Sequence, residues 1–326
     1  MKRAVKVGRL VIGGGAPISV QSMTNTSTSD TESTLKQILS LEAAGCDIVR
    51  IAVSSMAEAE ACKGIIGKTS SPLVADIQFD YRLAIACADI GFDKIRFNPG
   101  NIGGDGKVAE VVAACKRNGI SGAMALAESA LQSALLLERH GFYDIVLSVK
   151  SSDVRTMIEA YEILDGKCDY PLHLGVTESG SGQRGIIKSS IGIGALLFKG
   201  IGDTVRVSLT GDPVREVEAA RLILRSLRLD ESGVEIVSCP TCSRCNYDME
   251  PIVEELEKRF AHFKKRLKIA VMGCVVNGPG EAADADIALC GGQNGKAALF
   301  LKGKAIKTIN VSDAIAEILA LADKIS

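Results

Sequence analysis

Short apolar runs rich in β-branched residues alternate with helical patterns from residue 17 to about residue 229, and this alternation narrows the choice of fold more than any other feature of the chain. Strand-like runs fall at 17–23, 47–53, 72–78, 94–98, 144–150, 171–178 and 204–210, and helical patterns fill the gaps at 30–45, 56–68, 81–90, 125–140, 152–164, 188–199 and 212–227. Strands separated by helices at this spacing make βαβ units and a parallel sheet. More than two hundred residues of them favour a TIM-type (β/α)8 barrel. Residues 4–12, followed by Gly13-Gly14-Gly15, read as a hairpin plugging the barrel floor. The runs number seven, whereas a closed barrel needs eight strands. Between the helical patterns at 108–117 and from 125 there is only Asn118-Gly119-Ile120-Ser121-Gly122-Ala123-Met124, which is too short for a strand and both its loops. One barrel strand is therefore expected to be missing near residues 118–124.

Beyond residue 234 the pattern changes to a short strand, a cysteine run, a charged helix at 248–266, four more short strands and a closing helix at 312–325. The expected organisation is a barrel over 1–233 and a small α+β domain over 234–326. The 47% apolar content of the 326 residues supports extensive burial. A net charge of -1 offers nothing to nucleic acid or to an anionic membrane surface. No apolar run reaches the roughly eighteen residues of a membrane span, and the opening MKRAVKVGRLVIGGG lacks the apolar stretch of a secretory leader. A cytoplasmic protein is expected.

Cys239-Pro240-Thr241-Cys242-Ser243-Arg244-Cys245 and the later Gly273-Cys274-Val275-Val276-Asn277-Gly278-Pro279-Gly280-Glu281 carry the second constraint. Three cysteines at CxxCxxC spacing, answered by a fourth in a Gly/Pro-rich turn, can converge on one metal centre. Short runs of this kind hold iron-sulfur clusters, whereas four-cysteine zinc sites usually repeat the CxxC knuckle. The other cysteines, at 46, 62, 87, 115, 168 and 290, sit in apolar patterns and read as buried small hydrophobes in a reducing compartment.

Strands of a covered parallel sheet should be almost wholly apolar, yet these carry Arg50, Asp76, Arg96, Lys150, Glu178 and Arg206 within or at the ends of the runs. Asn98 and Ser208 lie two residues beyond two of the arginines, on the same strand face. A single such residue is as well explained by a strand-end salt bridge, for example Arg50 with Asp76. Six buried charges imply a lined cavity at the C-terminal ends of the strands, where barrel chemistry is housed. Four of them are cations, which suits a phosphate or diphosphate. His173 faces the same side as Gly175 and reads equally as a substrate contact or a hydrogen-bonded core histidine. The glycine-rich stretch 99–106 could cradle phosphate or simply turn, and Gly192-Ile193-Gly194 lies inside a helical pattern and is not a dinucleotide fingerprint.

The stretches Pro17 to Thr26, Leu73-Val74-Ala75-Asp76-Ile77, Asn98 to Gly103, His173 to Glu178, Arg206-Val207-Ser208-Leu209, Cys239-Pro240-Thr241-Cys242 and Gly273 to Glu281, taken in order, resemble the 4-hydroxy-3-methylbut-2-enyl diphosphate synthase family of the non-mevalonate isoprenoid pathway. The resemblance implies a barrel that grips a cyclic diphosphate and a small domain carrying a [4Fe-4S] cluster. It puts the cluster ligands on Cys239, Cys242, Cys274 and Glu281 and leaves Cys245 a bystander. An oxygen ligand such as Glu281 is more labile than a thiolate and can yield an iron position to substrate, which makes it catalytic as well. By the same carry-over Arg50, Asp76, Arg96, Asn98, Lys150, Arg206 and Ser208 bind substrate and Glu178 is the acid near the leaving hydroxyl. A carboxyl among cations needs burial or substrate charge to stay protonated.

The implied reaction is reductive ring opening of 2-C-methyl-D-erythritol 2,4-cyclodiphosphate with loss of water, fed by ferredoxin or flavodoxin. A homodimer is implied, the cluster domain of one subunit capping the barrel of the other. Two departures stand out. The family's Arg-Ile-Gly-Val-Asn strand, which helps bind diphosphate, has room only in the gap before Ala123, and Gln78 stands where the family commonly has histidine. The competing reading is a pterin- or phosphate-binding TIM-barrel transferase with a structural zinc domain.

Overall fold

The computed structural model describes residues 1–97, 105–118, 121–125, 127–261, 263, 265–276, 280 and 283–325. The chain divides into two compact units, Met1–Asp230 and Glu231–Ser326.

The first unit opens with an antiparallel hairpin, β1 (Val5–Val7) and β2 (Leu10–Ile12). Eight parallel strands follow: β3 (Ser19–Met23), β4 (Ile48–Ala52), β5 (Leu73–Asp76), β6 (Lys94–Arg96), β7 (Ser121–Ala125), β8 (Ile145–Ser148), β9 (His173–Leu174) and β10 (Thr204–Val205). They pair in the order β8-β7-β6-β5-β4-β3-β10-β9. A parallel bridge between Leu147 and Leu172, with the Leu147 amide donating to the Pro171 carbonyl at 2.9 Å, joins the two ends. The barrel is closed, as the alternating pattern predicts.

The missing strand is the point at which that expectation is corrected. β7 pairs with β6 on one side and β8 on the other. Helices α4 (Asp105–Asn118) and α5 (Ala127–Arg139) flank it in the chain. At about 3.3 Å per residue, a five-residue strand crosses a barrel wall. Part of the room came from the start of α5, which begins two residues later than its apolar pattern suggests.

Four of the helices that follow a strand start from polar caps in the βα loops. Asp30, Ser55, Asp80 and Asp153 each accept a backbone N–H in the first turn of α1 (Thr31–Ala43), α2 (Met56–Cys62), α3 (Tyr81–Ile90) and α6 (Val154–Lys167). A cap of this kind is worth about 1 kcal/mol, and it sets where the chain leaves the barrel mouth. Helices α7 (Gly182–Phe198) and α8 (Val214–Ser226) complete the ring. The main core lies between strands and helices, and Cys46, Cys62, Cys87 and Cys115 are buried in it as free thiols. A separate apolar layer inside the barrel joins Val5, Val7 and Ile12 of the hairpin to Ile48, Val74 and Val146, so the hairpin does plug the floor.

The second unit is a five-stranded mixed sheet in sequence order: β11 (Val234–Ser238), β12 (Leu267–Met272), β13 (Ile287–Gly291), β14 (Lys296–Leu301) and β15 (Lys304–Asn310). The first three strands are parallel and the last two antiparallel. Helices α9 (Glu250–Phe260) and α10 (Ala314–Ile325) supply Ile252, Leu256, Phe260, Ile318 and Leu321 to its core.

Candidate functional site

Period-two geometry turns alternate strand residues into the barrel. Above the apolar floor comes a layer with Lys94, His173 and Thr204, and above that the ends of the strands carry Arg50, Asp76, Arg96, Lys150 and Arg206. Asp76 is 3% exposed and uses both oxygens: Oδ2 is in a close ion pair with the Arg50 guanidinium and Oδ1 accepts from Arg96 Nη1 at 3.0 Å. The strand-end salt bridge and the lined cavity are thus both present, since one carboxylate is shared by two arginines that point it toward the mouth.

The opposite wall is held by a second buried carboxylate. Glu216, in the first turn of α8, accepts the Ser22 hydroxyl and the Leu209 amide, both at 2.9 Å, and lies 3.7 Å from Arg206 Nε. Burial, and then the charges of Arg206 and Arg50, push Lys150 well below its ordinary value. Arg50 is pushed down to about 10 by burial, with Asp76 pulling the other way. Crowded cations of this kind are short of anion.

Orphaned polar atoms point the same way. The Nε atoms of Arg50 and Arg206, Ser19 Oγ and His173 Nε2 are buried without a hydrogen-bond partner. Unpartnered buried polar atoms are rare in folded proteins and mark places where a ligand or ordered water belongs. His173 Nδ1 lies 3.4 Å from Thr204 Oγ1, whose own proton goes to the Ser19 carbonyl. The ring therefore donates through Nδ1 and keeps Nε2 as a bare acceptor. Burial, then Lys150 and Lys94, push His173 well below its ordinary value, so it is a neutral interior histidine.

Gly175 explains how Lys150 reaches this space, for a Cβ there would stand 2.7 Å from Lys150 Nζ and 2.6 Å from the Arg206 carbonyl. Glu178 is exposed and has φ of 51°, a left-handed conformation that costs a non-glycine residue about 1 kcal/mol and marks candidate functional positions. Ser208 is half-buried and its carbonyl accepts the Ser179 hydroxyl. Gln78 is exposed at the mouth. Asn98 and most of the stretch 99–106 lie outside the described residues, and Gly192-Ile193-Gly194 falls inside α7 as its pattern indicates.

In the second unit the thiols gather at the carboxyl ends of the parallel strands. Cys239 follows β11 directly and Cys274 follows β12 by two residues. The Gly273 amide donates to Cys239 Sγ at 3.3 Å. Cys242 is exposed in the turn between β11 and α9, and N–H groups of Arg244, backbone and side chain, lower its thiol. The Arg244 guanidinium is raised in turn by Cys242, Cys274 and Cys239. This donor set favours thiolates, the form in which sulfur binds iron. Cys245 is engaged elsewhere: its Sγ donates to the Tyr247 carbonyl at 3.0 Å, and it packs so closely behind Gly273 that a Cβ there would stand 2.5 Å away. Glu281 lies outside the described residues. Among the described residues no three His, Cys, Asp or Glu side chains stand close enough together to hold a metal ion.

The sequence reading missed Lys94 and Glu216. Lys94 lies two residues before Arg96 on one strand face, the spacing that singled out Asn98 and Ser208. Glu216 sits on the apolar face of α8 with Val217, Ala220 and Ile223, an out-of-place acid in an otherwise regular pattern.

A parallel barrel with its ionisable groups at the carboxyl ends of the strands, joined to an α+β unit with thiols at its own strand ends, is an α/β-barrel enzyme with an appended thiol-bearing domain. The chain belongs to the GcpE family: the GcpE TIM-barrel domain matches residues 2–122 and 118–221, and the GcpE protein C-terminal domain matches 235–324. A Clostridium perfringens protein called 4-hydroxy-3-methylbut-2-en-1-yl diphosphate synthase (flavodoxin) is 51% identical over 344 residues, covering 99% of this chain and 98% of that protein. A Thermotoga maritima protein of the same name is 54% identical over 320 residues, covering 93% and 92%.

Among solved structures, Yersinia pestis dihydropteroate synthase superposes with a TM-score of 0.53 at 12% identity over 70% of this chain and 100% of its own, which is a likeness of fold alone. The Clostridium alignment runs over 344 residues against the 326 of this chain, so at least 18 residues of that relative have no counterpart here. The barrel domain matches in two pieces that meet at 118–122, which locates a gap where β7 stands. No helix among the described residues is long and apolar enough to cross a membrane.

Proposed function

We infer that this chain is an oxidoreductase that opens 2-C-methyl-D-erythritol 2,4-cyclodiphosphate reductively and eliminates water, giving 4-hydroxy-3-methylbut-2-enyl diphosphate. The observation that carries the reading is family membership across both units, together with a barrel mouth of buried, anion-poor cations. The zinc-bearing transferase alternative loses its footing because the thiol-bearing unit matches the GcpE family along with the barrel.

In this reading Arg50 and Arg96, oriented as a pair by Asp76, meet the diphosphate oxygens as forks. Arg206, backed by Glu216, and Lys150, lying over Gly175, meet them from the opposite wall. Ser208 and Asn98 supply hydrogen bonds to ring or phosphate oxygens. Glu178 delivers the proton that lets the hydroxyl leave as water. Its carboxyl is exposed beyond the end of β9, where it can reach a substrate held in the mouth.

Cys239, Cys242, Cys274 and Glu281 would hold a [4Fe-4S] cluster, which supplies the two electrons one at a time. Flavodoxin is the donor named for the relatives and is taken as the donor here, with ferredoxin as the chemically equivalent substitute. The functional division follows the sequence: substrate binding in 1–233, the cluster in 234–326, in a homodimer. The test is anaerobic purification with iron and sulfide analysis, followed by turnover of the cyclic diphosphate with reduced flavodoxin. Iron-free protein with no affinity for the cyclic diphosphate would refute the reading.

A further inference from the structure

Lys94 is 2% exposed inside the barrel, one layer below the cations of the mouth. In register it is flanked by Val74 on β5 and Ser121 on β7, so neither neighbour supplies a carboxylate. The two buried carboxylates among the described residues are already committed: Asp76 to Arg50 and Arg96, Glu216 to Ser22, Leu209 and Arg206. The remaining charged or titratable groups around it are Arg50 on β4 and His173 on β9, which in turn feels Lys150 and Arg206. The hairpin beneath offers only Val5, Val7 and Ile12. Burial first, and then Arg50, push Lys94 down to about 7.

We propose that Lys94 is a further group of the anion site: an amine that gives up its proton above neutral pH while the barrel is empty, it takes one back when a doubly negative cyclic diphosphate settles over Arg50, Arg96, Lys150 and Arg206. This rests on the substrate reading above. The physical cause is a change in sign of the local potential. In the empty barrel burial and Arg50 oppose a charge on Lys94, whereas two negative charges over the mouth favour one. The proton passes from solvent to Nζ with no bond of the substrate altered, and the new charge lies beneath the diphosphate, where it adds to binding.

Linkage makes this measurable. Calorimetric titration of the iron-loaded protein with the cyclic diphosphate, in buffers of different ionisation enthalpy, counts the protons taken up on binding. Lys150 contributes to the total, so the comparison is with Lys94→Met. With Lys94 at about 7 in the empty barrel, Lys94→Met should take up about 0.9 fewer protons than wild type at pH 8 but only about 0.1 fewer at pH 6. The affinity lost in the variant should be about tenfold greater at pH 6 than at pH 8, because at pH 8 the wild type spends binding energy on charging the amine. Lys94→Gln, which keeps a polar head, should give the same differences. Equal proton counts in wild type and both variants overturn this proposal alone. No binding heat in any of the proteins overturns the substrate reading and the proposal with it.

Discussion

Replacing Asp76 by Asn tests whether the barrel mouth is built to wait for an anion. The amide keeps the shape of the side chain and one acceptor oxygen but removes the charge that Arg50 and Arg96 share. Asp76 is 3% exposed and the arginine side chains 15% and 27%, so solvent compensates poorly. Removing one member of a buried pair costs about 3 kcal/mol, which for a unit of this length lowers the melting temperature by about 6–12 °C. The loss should be recoverable in one particular way. Inorganic pyrophosphate supplies negative charge to the two released arginines, so it should raise the melting temperature of Asp76→Asn more than that of wild type. In turnover the arginines lose their common orientation, and KM for the cyclic diphosphate should rise about tenfold, the loss of one charge-assisted contact. Calorimetric melting of the iron-loaded proteins with and without pyrophosphate reads both effects. An unchanged melting temperature, or equal pyrophosphate shifts in the two proteins, would refute the account of Asp76 as the group that keeps the site open.

Glu178→Gln should cut turnover by about a hundredfold or more, the usual worth of a general acid, while iron content and visible absorbance stay at wild-type levels; retained turnover would remove Glu178 from the mechanism. Cys239→Ser and Cys274→Ser should abolish iron retention after anaerobic reconstitution, whereas Cys245→Ser, whose thiol is committed to the Tyr247 carbonyl, should keep it; iron loss in the Cys245 variant would move the ligand set. Lys94→Met should be the more stable protein. With a folded value of about 7 against an ordinary 10.5, the unfolded chain holds a proton that the folded chain refuses. The penalty is full below pH 7 and fades as pH rises to 10.5. The variant should exceed wild type by on the order of 4 kcal/mol at pH 7, and the two urea-melt stabilities should converge toward pH 10.5.

The barrel was legible because its strands and helices differ in period and length, and the polar caps at Asp30, Ser55, Asp80 and Asp153 punctuate them. β7 was not legible. Its residues Ser-Gly-Ala-Met-Ala include no β-branched or aromatic side chain, so nothing local asks for a strand. Pairing on both edges makes it one, which is a tertiary cause that no window of sequence contains. β9 and β10 err in the other direction. Their apolar runs are long, but the ladder is regular over only two residues each before the chain turns polar groups into the mouth.

The cations of the site were legible by the same logic that makes them costly: a charge inside a two-faced strand has nowhere to go but a cavity. What that rule does not show is the vertical order inside the barrel. At the floor Val5, Val7, Ile12, Ile48, Val74 and Val146 exclude water. One layer up, Lys94 and His173 hold positions that disfavour the charged form without a ligand, since burial lowers both. At the mouth Asp76 divides itself between Arg50 and Arg96, and Glu216 stands behind Arg206. Among the described residues, two buried carboxylates cannot balance three arginines and two lysines, and β7 carries no ionisable residue of either sign. In the proposal made for Lys94, the resting barrel eases the imbalance by holding its lysines below their ordinary values, and an arriving dianion returns protons to them. Charge, rather than shape, is therefore what the empty site is complementary to, and the lysine depth that sequence periodicity overlooked is where that complementarity is stored.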